Sequence, residues 1–127
     1  MQERHLFEYA VIRVVPRVER EEFINTGVIL YCAKLKFLGA EYCLDAARLQ
    51  LLSNDLDIHD LEKNLKAIVQ ICEGNHASGP IGKLDTASRF RWLTATRSTI
   101  LQTSKVHPGF CVDPAETIAR LKRDLVL

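Results

Sequence analysis

The stretch Phe7-Glu-Tyr-Ala-Val-Ile-Arg-Val-Val15 decides the fold of this 127-residue chain. β-Branched and aromatic residues dominate it, and both types favour extended backbone. Pro16 follows directly and ends the strand, because proline has no N–H group for a sheet ladder. Successive side chains of a strand point to opposite faces, so this strand is apolar on both of its faces. We therefore predict a core-covered strand that carries one embedded arginine, Arg13.

The segments around this strand predict a small, mainly antiparallel sheet. Residues 26–32 are apolar and β-forming, and a polar break at residues 34–36 leads into residues 37–44, the expected return strand of a hairpin. The connector at residues 17–25 is expected to be irregular or one short helix. Residues 98–103 are expected to form the last strand, which makes a sheet of about four strands.

Four helices are expected, and each begins with a polar residue that can cap it. The clearest helix begins at Asp57 and stops at Gly74, because residues 58, 61, 65, 68 and 72 form one apolar stripe. Asp113-Pro114-Ala115-Glu116 combines an N-cap, a first-turn proline and an acidic residue, which is a specific helix start. The remaining expected caps are Asp45 and either Asp85 or Thr86.

These elements predict a single α+β domain over residues 1–127, with helices on one face of the sheet. The strands are apolar on both sides, so the other face also needs cover. Loops, the terminal helix or another subunit can supply it, and a homodimer is therefore a reasonable expectation.

The composition is that of a soluble globular protein, with 47% hydrophobic and 26% charged residues. We expect a cytoplasmic protein that does not bind membranes, because no secretory signal is visible and no apolar run approaches the about 20 residues of a membrane-spanning helix. The four cysteines form no Cys-x-x-Cys pair and the histidines are scattered. We therefore expect reduced thiols, no metal site and no cofactor.

Charge is distributed unevenly along the chain although the net charge is only +1. Residues 83–105 carry five basic side chains and one acidic side chain, whereas residues 41–62 carry six acidic and one basic. Charged regions of this kind can steer a partner, and a solvated surface explains them equally well. The low net charge makes nucleic acid a less favoured partner.

The segment from Phe90 to Gly109 is the richest in hydrogen-bond donors. Arginine offers a planar fork of N–H groups that suits phosphate or carboxylate, and neighbouring hydroxyl groups can complete such a pocket. The structural alternative is that the arginine pairs with a surface acid and the hydroxyl groups cap turns. We predict a pocket for a phosphate-bearing ligand or an acidic protein partner, with these candidate residues: Arg97, Ser98, Ser104, His107 and, near the first strand, Arg13.

The residues of this segment do not decide whether the protein is an enzyme. His107 precedes Pro108-Gly109 and is expected in a loop, but no Ser/His/Asp or Cys/His pattern provides it with a partner. The leading hypothesis is therefore a non-enzymatic binding or regulatory protein. The alternative is a small enzyme that acts on a phosphorylated or nucleotide substrate, with His107 as acid or base and Arg97 stabilising developing charge.

Several blocks of the chain, taken together, resemble a bacterial family of unknown function. The blocks are residues 9–16, residues 22–30, Gly79-Pro-Ile-Gly82, and Phe90-Arg-Trp-Leu93 with Arg97-Ser98. They resemble the domain-of-unknown-function family 3037 over nearly the whole chain. The resemblance implies no activity or catalytic residue. It does imply an accessory role beside a kinase-like toxin protein, which makes a purely protein-binding function the third hypothesis.

Overall fold

The structure, a computed structural model, describes residues 3–74, 79–95 and 99–127. In these ranges the chain forms an open antiparallel sheet of five strands packed with four α-helices. The α+β class predicted from the sequence is confirmed. The strands are β1 (His5–Val14), β2 (Ile24–Cys32), β3 (Phe37–Tyr42), β4 (Leu101–Thr103) and β5 (His107–Cys111). The helices are α1 (Ala46–Leu52), α2 (Ile58–Glu73), α3 (Thr86–Leu93) and α4 (Pro114–Leu125).

Strand β1 lies at the centre of the sheet. Strand β2 pairs with one edge of β1, and β3 pairs with β2 as the return strand of the predicted hairpin. The other edge of β1 is shared, because β5 pairs with residues 5–9 and β4 with residues 12–14. The first strand of the sequence thus organises the whole sheet.

Strand β5 corrects the expectation that His107 lies in a loop and that residues 98–103 form the last strand. Pro108 is compatible with β5 because β5 pairs only with β1 among the described strands, and proline is tolerated on an edge strand. Gly109 is required by packing, since a Cβ atom there would lie 2.5 Å from Cζ of Phe7. Pairing with a distant strand, and not local propensity, forms β5.

Helices cover both faces of the sheet, which corrects the expectation of one helical face. Side chains of β2 alternate, so that Ile29 packs with Leu65 of α2 and Phe90 of α3 on one side. Leu30 packs with Ile118 of α4 on the other side. Loops, the terminal helix or another subunit were the expected covers of the second face, and the terminal helix, α4, covers it.

The helix ends follow the predicted capping chemistry. Oδ1 of Asp57 accepts a hydrogen bond from the backbone N–H of Asp60 at 3.0 Å, and Gly74 ends α2 at φ +69°. Asp45, Asp85 and Asp113 cap the other three helices in the same way. Hydrogen bonds from Ser88 lower the pKa of the Asp85 carboxyl. None of the described helices combines the length and the apolar character that a membrane crossing needs.

Candidate functional site

A groove of about 510 Å³ opens between α2, the C-terminal end of α3 and β4. It exists because α2 packs on β3, and α3 on β2 and β3, so that neither helix fully covers the other half of this sheet face. Leu101 of β4 lines the uncovered part, and the buried Ile12 of β1 lies at its base. The groove is therefore a direct consequence of how the helices are placed on the sheet.

One face of α2 forms a wall of this groove. Its lining residues follow the three- and four-residue spacing of a helix face, and their character changes along the helix. Asp57, Asp60 and Asn64 make the N-terminal half polar, whereas Ile68 and Ile71 make the C-terminal half apolar. Trp92 and Leu93 of α3 add to the apolar lining.

The charged rim of the groove is negative. Among those lining residues that the structure describes, the charged side chains are Asp57 and Asp60. Neither carboxylate forms an ion pair with a described residue. Two of the predicted site residues, Arg97 and Ser98, lie outside the described residues. The cationic pocket expected from the sequence therefore stays a prediction.

The other three predicted site residues lie along the shared edge of β1. His107 pairs with Tyr9, Ser104 contacts Val11, and Arg13 pairs with Gln102 of β4. Tyr9 and Arg13 are four residues apart on one strand, which corresponds to about 13 Å. The structure brings the three residues to one edge but does not gather them around one point.

Ser104 bridges the gap between β4 and β5. Its backbone N–H donates to the carbonyl of Val11 at 2.8 Å, and its hydroxyl accepts from the N–H of Val11 at 2.8 Å. The hydroxyl also donates to the carbonyl of Lys105 at 2.9 Å. Since the side chain is buried, with 9% of the residue exposed, these bonds satisfy β1 where it lacks a strand partner.

Replacing Ser104 with alanine is expected to lower the free energy of unfolding by about 1–3 kcal/mol, because the N–H of Val11 then stays buried without an acceptor. Urea unfolding of Ser104→Ala measures the change. Lys105→Ala, at the exposed neighbouring position, is the control and is expected to stay within about 0.5 kcal/mol of the natural protein. Unchanged stability of Ser104→Ala would contradict this structural role.

Arg13 lies against an aromatic ring. Its guanidinium carbon is 4.0 Å from the ring centroid of Phe23, a cation–π arrangement. Its Nε atom is buried and has no hydrogen-bond partner in the described structure. Arg13 thus keeps unused hydrogen-bonding capacity beside a shallow recess that Glu21 and Gln102 also line.

His107 is exposed on β5, and its ring centroid lies 5.4 Å from that of Tyr9. This contact is aromatic and offers no acid–base partner. Two titratable side chains packed in the core, those of Cys72 and Tyr42, keep their protons at neutral pH. Burial raises the pKa of the Cys72 thiol to about 12. Burial, together with a hydrogen bond to Glu62, raises the pKa of Tyr42.

Sequence reasoning missed the role of Arg89. Its Nη1 donates to the carbonyls of Ile71 and Cys72, both at 2.8 Å, and its Nε donates to the carbonyl of Leu84 at 3.0 Å. The arginine thereby joins the end of α2 to the start of α3. The partners are backbone atoms up to 18 residues away, and no local pattern indicates them.

The sequence analysis used Asp57 as the start of a helix and named neither Asp57 nor Asp60 as a site residue. The signal was present, since positions 57, 60 and 64 place three polar side chains beside the apolar stripe of α2. Only the position of β4 turns this polar stripe into the rim of a groove.

One protein-family model matches nearly the whole chain. The family model described as "Protein of unknown function (DUF3037)" matches residues 9–126, a range that includes every residue of the groove. No curated protein and no solved structure matches the chain.

Proposed function

The chain belongs to the DUF3037 family, as the resemblance predicted, and we propose that it is a non-enzymatic binding module whose ligand occupies the groove between α2, α3 and β4. The observation that carries the proposal is the form of the groove, an apolar floor with a polar rim. Its volume of about 510 Å³ lies within the range of about 300–1,000 Å³ that ligand sites commonly have.

The lining indicates the general class of ligand. Ile68, Trp92, Ile100 and Leu101 present apolar surface, so the body of the ligand is apolar. Asn64 and Thr103 stand among them and offer an amide and a hydroxyl group that orient it.

Binding is favoured over catalysis because the described lining residues include no serine, cysteine, histidine or lysine beside the two carboxylates of Asp57 and Asp60. His107, the acid or base of the enzyme hypothesis, is not part of that lining. The enzyme hypothesis remains a prediction that rests on a separate position on β5.

The anion hypothesis also remains a prediction. A phosphate-bearing ligand or an acidic partner would depend on Arg97 and Ser98, which lie outside the described residues, and on Arg13. The charge of the groove rim favours a ligand of the opposite sign. An accessory role beside a kinase-like toxin protein is compatible with a binding groove and is likewise a proposal.

Ala67→Trp is expected to weaken binding of the neutral apolar dye Nile red by about tenfold or more, equal to about 1.4 kcal/mol of lost binding free energy. Ala67 lines the groove at an exposed position of α2, so an indole ring there fills the site without entering the core. Dye fluorescence titration gives the two dissociation constants.

Lys63→Trp is the matched control for this prediction. Lys63 is exposed on the same helix and does not line the groove, so this variant adds the same side chain elsewhere. It is expected to bind the dye as the natural protein does. Absence of dye binding to the natural protein, or equal binding by both variants, would overturn the proposed function.

A further inference from the structure

We infer that the groove receives an extended segment of a partner protein in which a lysine or arginine stands beside apolar residues. The inference rests on the proposed function and identifies the occupant of the same site. Four properties of the groove support it: its length, the charge of one end, the strand that borders it and the exposed apolar side chains beside that strand.

The length of the groove suits a peptide. The lining face of α2 runs from Asp57 to Ile71, which at the rise of a helix is about 21 Å. An extended chain covers this distance with about six residues. A peptide of that length reaches both the polar and the apolar half of the wall at once.

The charge of the lining residues that the structure describes favours a cationic segment. Asp57 already uses one carboxylate oxygen to cap α2, so the helix N-terminus is satisfied and does not call for an external anion. Asp60 makes no ion pair with any residue that the structure describes. A lysine or arginine at this end and apolar residues at the other end match the change in character along α2.

Strand β4 offers backbone groups for pairing. Ile100 O and Ser104 N bond to β1, and Gln102 lies between them in register with Arg13. Alternate residues of a strand bond to opposite sides, so Leu101 and Thr103 direct their backbone groups to the outer edge. No described strand pairs with this edge. The Leu101 carbonyl accepts a hydrogen bond from the Thr99 hydroxyl at 2.6 Å, so the Leu101 N–H and the backbone groups of Thr103 are the ones offered for pairing. Addition of a peptide strand there is a known recognition mode, in which alternate side chains enter a neighbouring pocket.

Exposed apolar side chains flank the same edge. Ile100 is 48% exposed and Trp92 is 40% exposed, and both line the groove. Aromatic and apolar side chains of this kind commonly anchor a bound segment. The apolar residues of the peptide are expected to pack against them.

Fluorescein-labelled hexapeptides test the inference by fluorescence anisotropy with the intact chain. KTVTLT and its reversed order TLTVTK each place one lysine and two apolar side chains on one face of a strand, and ETVTLT and TLTVTE are the matched acidic peptides. We expect one lysine order to bind at least about tenfold more tightly than its acidic counterpart at low salt, and the difference to shrink as salt is added.

Asp57→Asn with Asp60→Asn is expected to remove this preference for lysine. Asparagine caps helices as well as aspartate, so α2 stays intact. Asp55→Asn is the control, because Asp55 is exposed but does not line the groove. A lysine peptide with methylated backbone nitrogens is expected to bind at least about tenfold more weakly, since it cannot pair with β4.

The outcomes separate the two proposals. Binding of Nile red without binding of any peptide, or equal binding of lysine and acidic peptides, would overturn the inference and leave the proposed function in place. Full affinity of the methylated peptide would overturn strand addition and with it the inferred occupant. Failure of both the dye and the peptides to bind would overturn the proposed function itself.

Discussion

Leu65→Ala is expected to lower the free energy of unfolding by about 2–5 kcal/mol, the usual cost of truncating a fully buried leucine. Leu65 is 0% exposed and lies in the core cluster with Ile12 and Ile29 of the sheet and Leu93 of α3. Truncation removes apolar contacts and leaves a cavity where α2 meets the sheet. Urea unfolding followed by circular dichroism measures the loss.

Leu51→Ala is the matched control for the core substitution. Leu51 is a helical leucine like Leu65, but it is 88% exposed on α1. Its truncation is expected to change stability by about 0.5 kcal/mol or less. A loss below about 1 kcal/mol for Leu65→Ala would contradict the packing of α2 on the sheet.

Arg89→Met is expected to cost about 2–4 kcal/mol, because hydrogen bonds from a charged donor are worth about 1.5–3 kcal/mol each and the site is partly open to water. The substitution keeps an unbranched apolar side chain but removes the donors to Ile71, Cys72 and Leu84. The last carbonyls of α2 then lose this partner. Urea unfolding again gives the change.

Two variants control for the loss of charge. Arg91→Met removes a cation from the exposed side of the same helix and is expected to stay within about 0.5 kcal/mol of the natural protein. Arg89→Lys keeps the charge but not the planar fork, so an intermediate loss is expected. Equal stability of Arg89→Met and Arg91→Met would show that Arg89 does not connect α2 to α3.

The parts of the fold that depend on neighbouring residues could be predicted well. Asp57 caps α2 through an amide three residues away, and Gly74 ends the helix through its own backbone angle. The hairpin of β2 and β3 also depends on a short stretch of chain. In each case the interacting groups are close in sequence, so their spacing carries the information.

The parts that depend on distant residues were missed or misplaced. Strand β5 contains Pro108 and Gly109 and resembles a loop until it pairs with β1. Ser104 resembles a ligand-binding hydroxyl until the unpaired N–H of Val11, 93 positions away, is placed beside it. Local propensity describes neither interaction, because both partners meet only after the sheet has formed.

The candidate site likewise combines features that depend on nearby residues with features that depend on distant residues. From the sequence alone, the acidic and apolar residues of α2 were visible, together with the α+β class, the helix boundaries and the family resemblance. Only the tertiary structure decided that α2 stands beside the open edge of β4 and forms a groove with it. The physical reason is one of range: capping and helical periodicity act over three or four residues, whereas a groove is the space left between elements that pack through distant contacts.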